Sequence, residues 1–200
     1  FAPFNLLLTP SERKSIFANF NSDINDNLSL HVKLMYNNRT STNQAAPEPI
    51  FVGPFTGSGG IADTISVSVL NPFNPFGITL DAASNFGFIG RRPLEVGPRV
   101  FIQDVDTWYI NAGLDGNFSA GSRSFDWDIN YVHTENTADQ VFTNGYNVAN
   151  IRLALGAPAT CALTPGCTPL DIFGGQGRPM TPQMINWIRT TQKDSSEQIL

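Results

Sequence analysis

The strongest pattern in the chain is a period of two. From Trp108 to Phe118, the residues Trp108, Ile110, Ala112, Leu114 and Phe118 share one parity, with Gly116 among them. Tyr109, Asn111, Gly113, Asp115 and Asn117 take the other. Beyond a Ser/Gly-rich stretch at Ser119–Ser124, Phe125, Trp127, Ile129 and Tyr131 alternate with Asp126, Asp128 and Asn130. Such alternation predicts two β-strands, each with one apolar and one polar face, joined by a turn. A second hairpin has the same form. Ile16, Ala18, Phe20, Ser22 and Ile24 alternate with Phe17, Asn19, Asn21 and Asp23; after Asn25-Asp26-Asn27, the set Leu28, Leu30, Val32, Leu34 and Tyr36 alternates with Ser29, His31, Lys33 and Met35. The three-residue turn suits a hairpin with one left-handed residue. Pairing Ile24 with Leu28 sets Phe20 opposite Val32 and Ile16 opposite Tyr36, so apolar meets apolar throughout.

The same reasoning on the Trp108–Tyr131 hairpin sets Phe118 opposite Phe125 and Leu114 opposite Ile129. It also sets Asp115 directly opposite Asp128, and like charges across a strand pair are destabilising. Neither arm carries Lys or Arg on that face. The compensating cation is expected from a neighbouring strand or from outside the chain, most simply an Arg that bridges both carboxylates.

Aromatic residues mark the ends of the apolar face: Trp108 at one, Phe118 and Phe125 at the other, Tyr131 back towards the first. Ten steps of about 3.3 Å give about 33 Å, and a tilt of about 45° reduces this to a rise of roughly 23 Å. An outer-membrane barrel presents an apolar band of about 25 Å between aromatic girdles. The residues expected to face lipid are Trp108, Ile110, Leu114, Phe118, Phe125, Trp127, Ile129 and Tyr131. Those expected to face the lumen are Asn111, Asp115, Asp126, Asp128 and Asn130. A soluble sandwich would fill such a face more often with Val, Ile and Leu.

The rest of the chain breaks this rhythm. The expected order is a hairpin over 13–41, a long loop over 42–97, a hairpin over 98–141, a long loop with a short helix over 142–193, and the start of another strand over 194–200. Six prolines and the Gly57-Ser-Gly-Gly60 cluster interrupt the first long loop, with a short strand possible at Ile61–Leu70. Thr181 as N-cap and Pro182 at the first helical position open a helix to about Thr190. Short turns at one end and long loops at the other match outer-membrane barrels. Connections this long are otherwise functional or disordered. Cys161 and Cys167 lie close together in a Pro/Gly-rich segment, and an oxidising compartment would pair them. The chain opens at Phe1 without Met or a signal peptide and ends in what reads as a strand cut short, so a fragment of a longer protein is expected.

Composition narrows the partners. Charged residues are 14% of the 200, and the 19 asparagines outnumber the 12 lysines and arginines. A net charge of -5 lacks the basic patch that a nucleic-acid partner would need. No run of ~18 apolar residues offers a transmembrane helix, which leaves strands untouched.

Several segments resemble the TonB-dependent outer-membrane receptors. Asn71-Pro-Phe-Asn-Pro-Phe-Gly77 resembles the Asn-Pro-Phe/Tyr-Asn-Pro-Phe-Gly element of their loops. Cys167-Thr-Pro-Leu-Asp-Ile-Phe-Gly174 and Thr181-Pro-Gln-Met-Ile185 resemble their Cys-x-Pro-Leu-x-Leu-Phe-Gly and Thr-Pro-x-x-Ile segments. Gly113-Leu-Asp-Gly116 with Trp127-Asp128, and Arg13-Lys-Ser-Ile-Phe17 with the hairpin after it, resemble their barrel strands. The resemblance covers most of the chain. It implies an all-β fold of antiparallel transmembrane barrel strands with long extracellular loops, part of a barrel of about 22 strands whose lumen holds a plug. It implies active uptake of a scarce nutrient such as a siderophore, cobalamin or a glycan. The implied partners are outer-membrane lipid, the plug of the parent chain, the TonB complex through that parent chain, and a small-molecule or oligosaccharide ligand. Neither a plug nor a TonB-contacting segment is recognisable, and about four complete strands cannot close a barrel alone.

Catalytic and metal chemistry find little support. Asp104-x-Asp106 and Asp126-x-Asp128 each share one strand face, read as the polar, lumen-facing one. His31 and His133 are isolated and lack metal-ligand spacing. Gly57–Gly60 lacks the context of a phosphate loop, and no Gly-x-Ser-x-Gly is present. No enzyme, cofactor or metal is expected. A secreted β-sandwich binding module for carbohydrate and a surface structural β-protein remain as alternatives; no internal repeat favours the latter.

Overall fold

A computed structural model describes residues 2–57, 60–175 and 177–200. In chain order the strands are β1 (Ser11–Asn25), β2 (Leu28–Ala45), β3 (Ile50–Val52), β4 (Ile89–Arg91), β5 (Arg99–Ala120), β6 (Arg123–Tyr146) and β7 (Arg189–Ile199). The helices are α1 (Val148–Leu155), α2 (Pro158–Cys161) and α3 (Pro182–Ile188). The fold is all-β in class, with antiparallel sheets. β1-β2-β5-β6-β7 form one open sheet with β1 and β7 at its edges, and β3 pairs β4 in a second.

Both predicted hairpins form. In β1–β2, Ile16 pairs Tyr36 and Phe20 pairs Val32, as the alternation requires. The turn differs from expectation. Asn25, not Ile24, pairs Leu28, and the register shifts between Asp23 and Asn25. No residue of this turn is left-handed. The Asn25 side chain closes it instead, accepting from the Asn27 amide. In β5–β6 the turn shrinks from the six residues expected to Gly121 and Ser122, with Gly121 at φ +67°. A two-residue turn sets Phe118 opposite Phe125, and their rings stack at 5.3 Å between centroids. β7 begins at Arg189 rather than near Asp194, and Thr134 and Leu200 exchange both backbone hydrogen bonds.

The chain divides into two compact units. One comprises residues 8–43, 101–141 and 193–200 and holds most of the large sheet. The other comprises residues 1–7, 44–100 and 142–192. The second unit is built from the stretches expected to be loops. Its core joins Ile50 and Val52 of β3, Ile65, Val67, Ile151 and Leu155 of α1, Leu170, and Met184 and Ile188 of α3. Ile61–Thr64 forms a 3-10 turn rather than the strand considered at Ile61–Leu70, where only Val67 bridges Leu80. Two helices were not anticipated. α1 is capped by Asn147, whose side chain accepts from the Ala149 and Asn150 amides. α3 starts as predicted, with Thr181 capping Met184, but ends at Ile188. Trp187 Nε1 donates to the Asn150 carbonyl and Asn150 Nδ2 donates to the Trp187 carbonyl, which locks α1 to α3. Cys161 and Cys167 form a disulfide across six positions of sequence.

The motifs in this unit have structural work. In the Asn71–Gly77 element, each Asn accepts from the amide two residues on, Asn71 from Phe73 and Asn74 from Phe76. These are successive Asx turns, which suit the intervening prolines because those have no amide to place. Asn71 is buried and donates to the Ala154 carbonyl. Asp171, buried inside Cys167–Gly174, accepts from the Phe173 and Gly174 amides and from Arg178.

Candidate functional site

The candidate site is the large sheet, considered face by face. Every buried hydrophobic side chain among the described residues belongs to the unit of short elements; the sheet unit contributes none. Its apolar residues are exposed instead. Ile16 and Phe20 of β1, Leu34 of β2, Trp108 and Phe118 of β5, and Phe125, Ile129 and Tyr131 of β6 are all exposed, Ile129 at 65%. Ile110, Leu114 and Trp127 are partly buried by their neighbours. Trp127 lies across Gly116, where an added Cβ would stand 2.4 Å from its ring. The residues expected to face lipid thus share one largely exposed face of β5 and β6, which Ile16, Phe20 and Leu34 continue on β1 and β2.

Tyr36 of β2 stacks on Trp108 of β5 at 4.5 Å, and its hydroxyl donates to Asp106 at 2.6 Å. Asn38 donates to Asp104 at 2.7 Å and to Asp106 at 3.1 Å, and Thr40 also reaches Asp104. These contacts correct the sequence reading of Asp104 and Asp106. Their parity is that of Trp108, so they lie on the apolar face's side, beyond its aromatic end, and their partners are a phenol, an amide and a hydroxyl rather than arginines. The band therefore stops at Tyr36 and Trp108 and gives way to a hydrogen-bonded polar row.

The opposite face carries Asn111, Asp115, Asp126, Asp128 and Asn130, as expected from alternation. His31 of β2 reaches across β5 to this cluster. Its Nδ1 lies 2.8 Å from Asp115 Oδ2 and its Nε2 lies 2.8 Å from Asn130 Oδ1. Asn130 Nδ2 donates to Asp128, which turns the Asn130 carbonyl oxygen towards the histidine. Both ring nitrogens then face acceptors, and the doubly protonated ring satisfies both. The partner beside Asp115 is thus a histidine of the adjacent strand and not an arginine. Asp126, Asp128 and Asp115 also border a cavity of about 370 Å³ with Asp26, Ser29 and Asn117. The face is not uniformly polar, since Phe17 and Met35, paired across β1 and β2, and Val132 are exposed on it.

His31 reads as isolated in the sequence because its partners lie 84 and 99 residues away. The signal that could have found it is Gly113, a glycine in mid-strand, which often marks a close approach. A Cβ at Gly113 would stand 2.4 Å from His31 Nε2 and 2.5 Å from Asn130 Oδ1. Gly113→Ala is therefore expected to push the imidazole off Asn130 and to cost about 1–3 kcal/mol by overpacking. Thermal unfolding of the variant in detergent, with the His31 ring signals followed by NMR, checks this. Unchanged stability and unchanged ring shifts would contradict it.

Among the described residues no group of three or more His, Cys, Asp or Glu is placed to hold a metal ion. No helix is long and apolar enough to cross a membrane, which says nothing of crossing by strands. No family model, no curated protein and no solved structure matches this chain.

Proposed function

We propose that this chain is a section of the wall of an outer-membrane β-barrel receptor of the TonB-dependent kind, serving nutrient uptake through its parent protein. The observation that carries the reading is the inversion of the large sheet. Its four-strand apolar face is exposed, and its opposite face is hydrogen-bonded through His31, Asp115, Asn130 and Asp128. In water an apolar face of this extent needs a cover; exposed patches beyond a few hundred Å² mark interaction or membrane surfaces. A second layer of sheet would cover it in a sandwich, yet among the described residues the sheet unit buries no hydrophobic side chain. Lipid supplies the cover in a barrel wall. The Tyr36–Trp108 pair then forms part of an aromatic girdle, and the Asp104–Asp106 row lies beyond the band. β5 and β6, at 22 and 24 residues, are long enough to cross a bilayer and continue past it. The short turns at Asp26–Asn27 and Gly121–Ser122 belong to the periplasmic end, and the unit holding the disulfide belongs to the extracellular loops.

This reading predicts a protein that stays with outer membranes after an alkaline carbonate wash and is monodisperse only in detergent. A monodisperse monomer in plain buffer would overturn it and favour a secreted module.

A further inference from the structure

Hydrogen bonds link β2, β5 and β6 in a chain on the polar face of the sheet, and each fixes the proton of the next. His31 Nδ1 lies 2.8 Å from Asp115 Oδ2, His31 Nε2 lies 2.8 Å from Asn130 Oδ1, and Asn130 Nδ2 donates to Asp128 Oδ2 at 2.9 Å. An ionised carboxylate only accepts, so the Asn130 end beside Asp128 has to be the amide nitrogen. The end beside His31 is then the carbonyl oxygen, and Nε2 has to carry a proton to meet it. Asp115 requires a proton on Nδ1 for the same reason. These bonds coexist only while the ring holds both protons.

Loss of one proton breaks the chain at a defined place. The proton on Nδ1 faces a carboxylate, the stronger acceptor, so the proton on Nε2 is the one released to water. Nε2 then turns a lone pair towards the Asn130 oxygen, and two acceptors face each other. The ring is only 19% exposed, so water has little access to separate them. Turning the Asn130 amide end for end restores a bond, with Nδ2 donating to Nε2. The same turn takes Nδ2 from Asp128 and points Oδ1 at its carboxylate. Gly113 leaves the room for this exchange, since a Cβ there would stand 2.4 Å from Nε2 and 2.5 Å from Oδ1. The other charged groups near the ring are Lys33, two residues along β2, Asp126 of β6, and Asp23 of β1, which accepts from the Ser29 hydroxyl. Asn21, opposite His31 on β1, is neutral.

We propose that His31, Asn130 and Asp128 form a proton-operated latch. With the ring doubly protonated, Asp128 is bonded back onto Asn130. On loss of the Nε2 proton the Asn130 amide turns, and Asp128 is released into the cavity of about 370 Å³ that it borders with Asp26, Asp115 and Asp126. The proton on a residue of β2 thereby sets the freedom of a carboxylate on β6, with β5 between them. The latch lies wholly within the sheet unit and does not depend on the membrane reading.

The test is a pH titration of the intact chain in detergent, followed by NMR of the His31 ring nitrogens, the Asn130 side-chain amide and the Asp128 carboxyl carbon. The acid form is expected to show both ring nitrogens protonated. The base form is expected to show Nδ1–H with a bare Nε2, and a coupling across the new hydrogen bond from Asn130 Nδ2 to His31 Nε2. The Asn130 and Asp128 signals are expected to change with the midpoint of the ring. His31→Gln is expected to abolish their change at that midpoint. An Asn130 amide still bonded to Asp128 once the ring is neutral, a neutral ring protonated on Nε2, a ring that does not titrate, or an Asn130 change that survives His31→Gln would overturn the proposal. The wild-type titration decides the matter even where the variant fails to fold.

Discussion

Arg91→Ala is expected to be among the most damaging single changes in the chain, costing about 3–5 kcal/mol of stability in the unit of short elements. The Arg91 side chain is 5% exposed. Its guanidinium donates to the Asp171 carbonyl at 2.7 Å, the Arg178 carbonyl at 3.0 Å and the Glu95 carboxylate at 2.8 Å, and also reaches the Gly175 carbonyl. It lies 3.9 Å from the Asp171 carboxylate, whose side chain is 2% exposed. Removing it strips a buried charge of one counterion and leaves several carbonyls unpaired, each with its own desolvation cost. Arg178 and the backbone amides still hold Asp171, which keeps the loss from being larger. Arg91→Lys should fall between the two, because a point ammonium cannot replace the planar fan of donors. Amide hydrogen exchange at Leu155 and Ile188, at the centre of this core, reads the effect. Unchanged protection there would show that the network is peripheral.

Ile129→Arg is the second large effect, and it bears on the other unit. Ile129 lies in β6 between Trp127 and Tyr131 and is 65% exposed. In a water-soluble sheet an exposed Ile-to-Arg change is close to neutral, usually within about 0.5 kcal/mol. On a lipid-facing strand near mid-bilayer it should cost roughly 2–4 kcal/mol. The two expectations differ enough for an unfolding titration in detergent or lipid to separate them. Arg at Phe118 or Trp108, at the ends of the band, should cost much less, and that gradient is the signature of depth.

The sheet was legible because alternation is a local signal. Each residue from Trp108 to Tyr131 reports its face without reference to any other strand, and the β1–β2 register follows from matching apolar to apolar. The turns were less legible. Asn25–Asn27 solves its geometry with a side-chain hydrogen bond and a register shift, neither of which composition reveals. The Ser119–Ser124 stretch carries turn residues, yet its strands run on to Ala120 and from Arg123. Reading acidity as lumen puts Asp104 and Asp106 on the wrong face, although they share the parity of Trp108. Least legible was the unit made from residues 44–100 and 142–192. Its core joins Ile50, Ile65 and Val67 to Leu155, Leu170 and Ile188, more than eighty residues apart in sequence, without a period to announce it. Proline and glycine there mark tight turns in a packed structure, as the Asn71 and Asn74 Asx turns illustrate, rather than loose chain.

Quenching by lipids brominated along their acyl chains tests the central claim most directly. Two single-tryptophan proteins are compared in reconstituted bilayers, one retaining Trp108 and one with Trp placed at Tyr109, the adjacent residue on the other face of β5. Strong quenching at position 108 with little at 109 is the predicted result, because in the proposed barrel wall one would point to lipid and the other to the lumen. Equal quenching at both positions, or none at either, would contradict the assignment of the apolar face to the membrane.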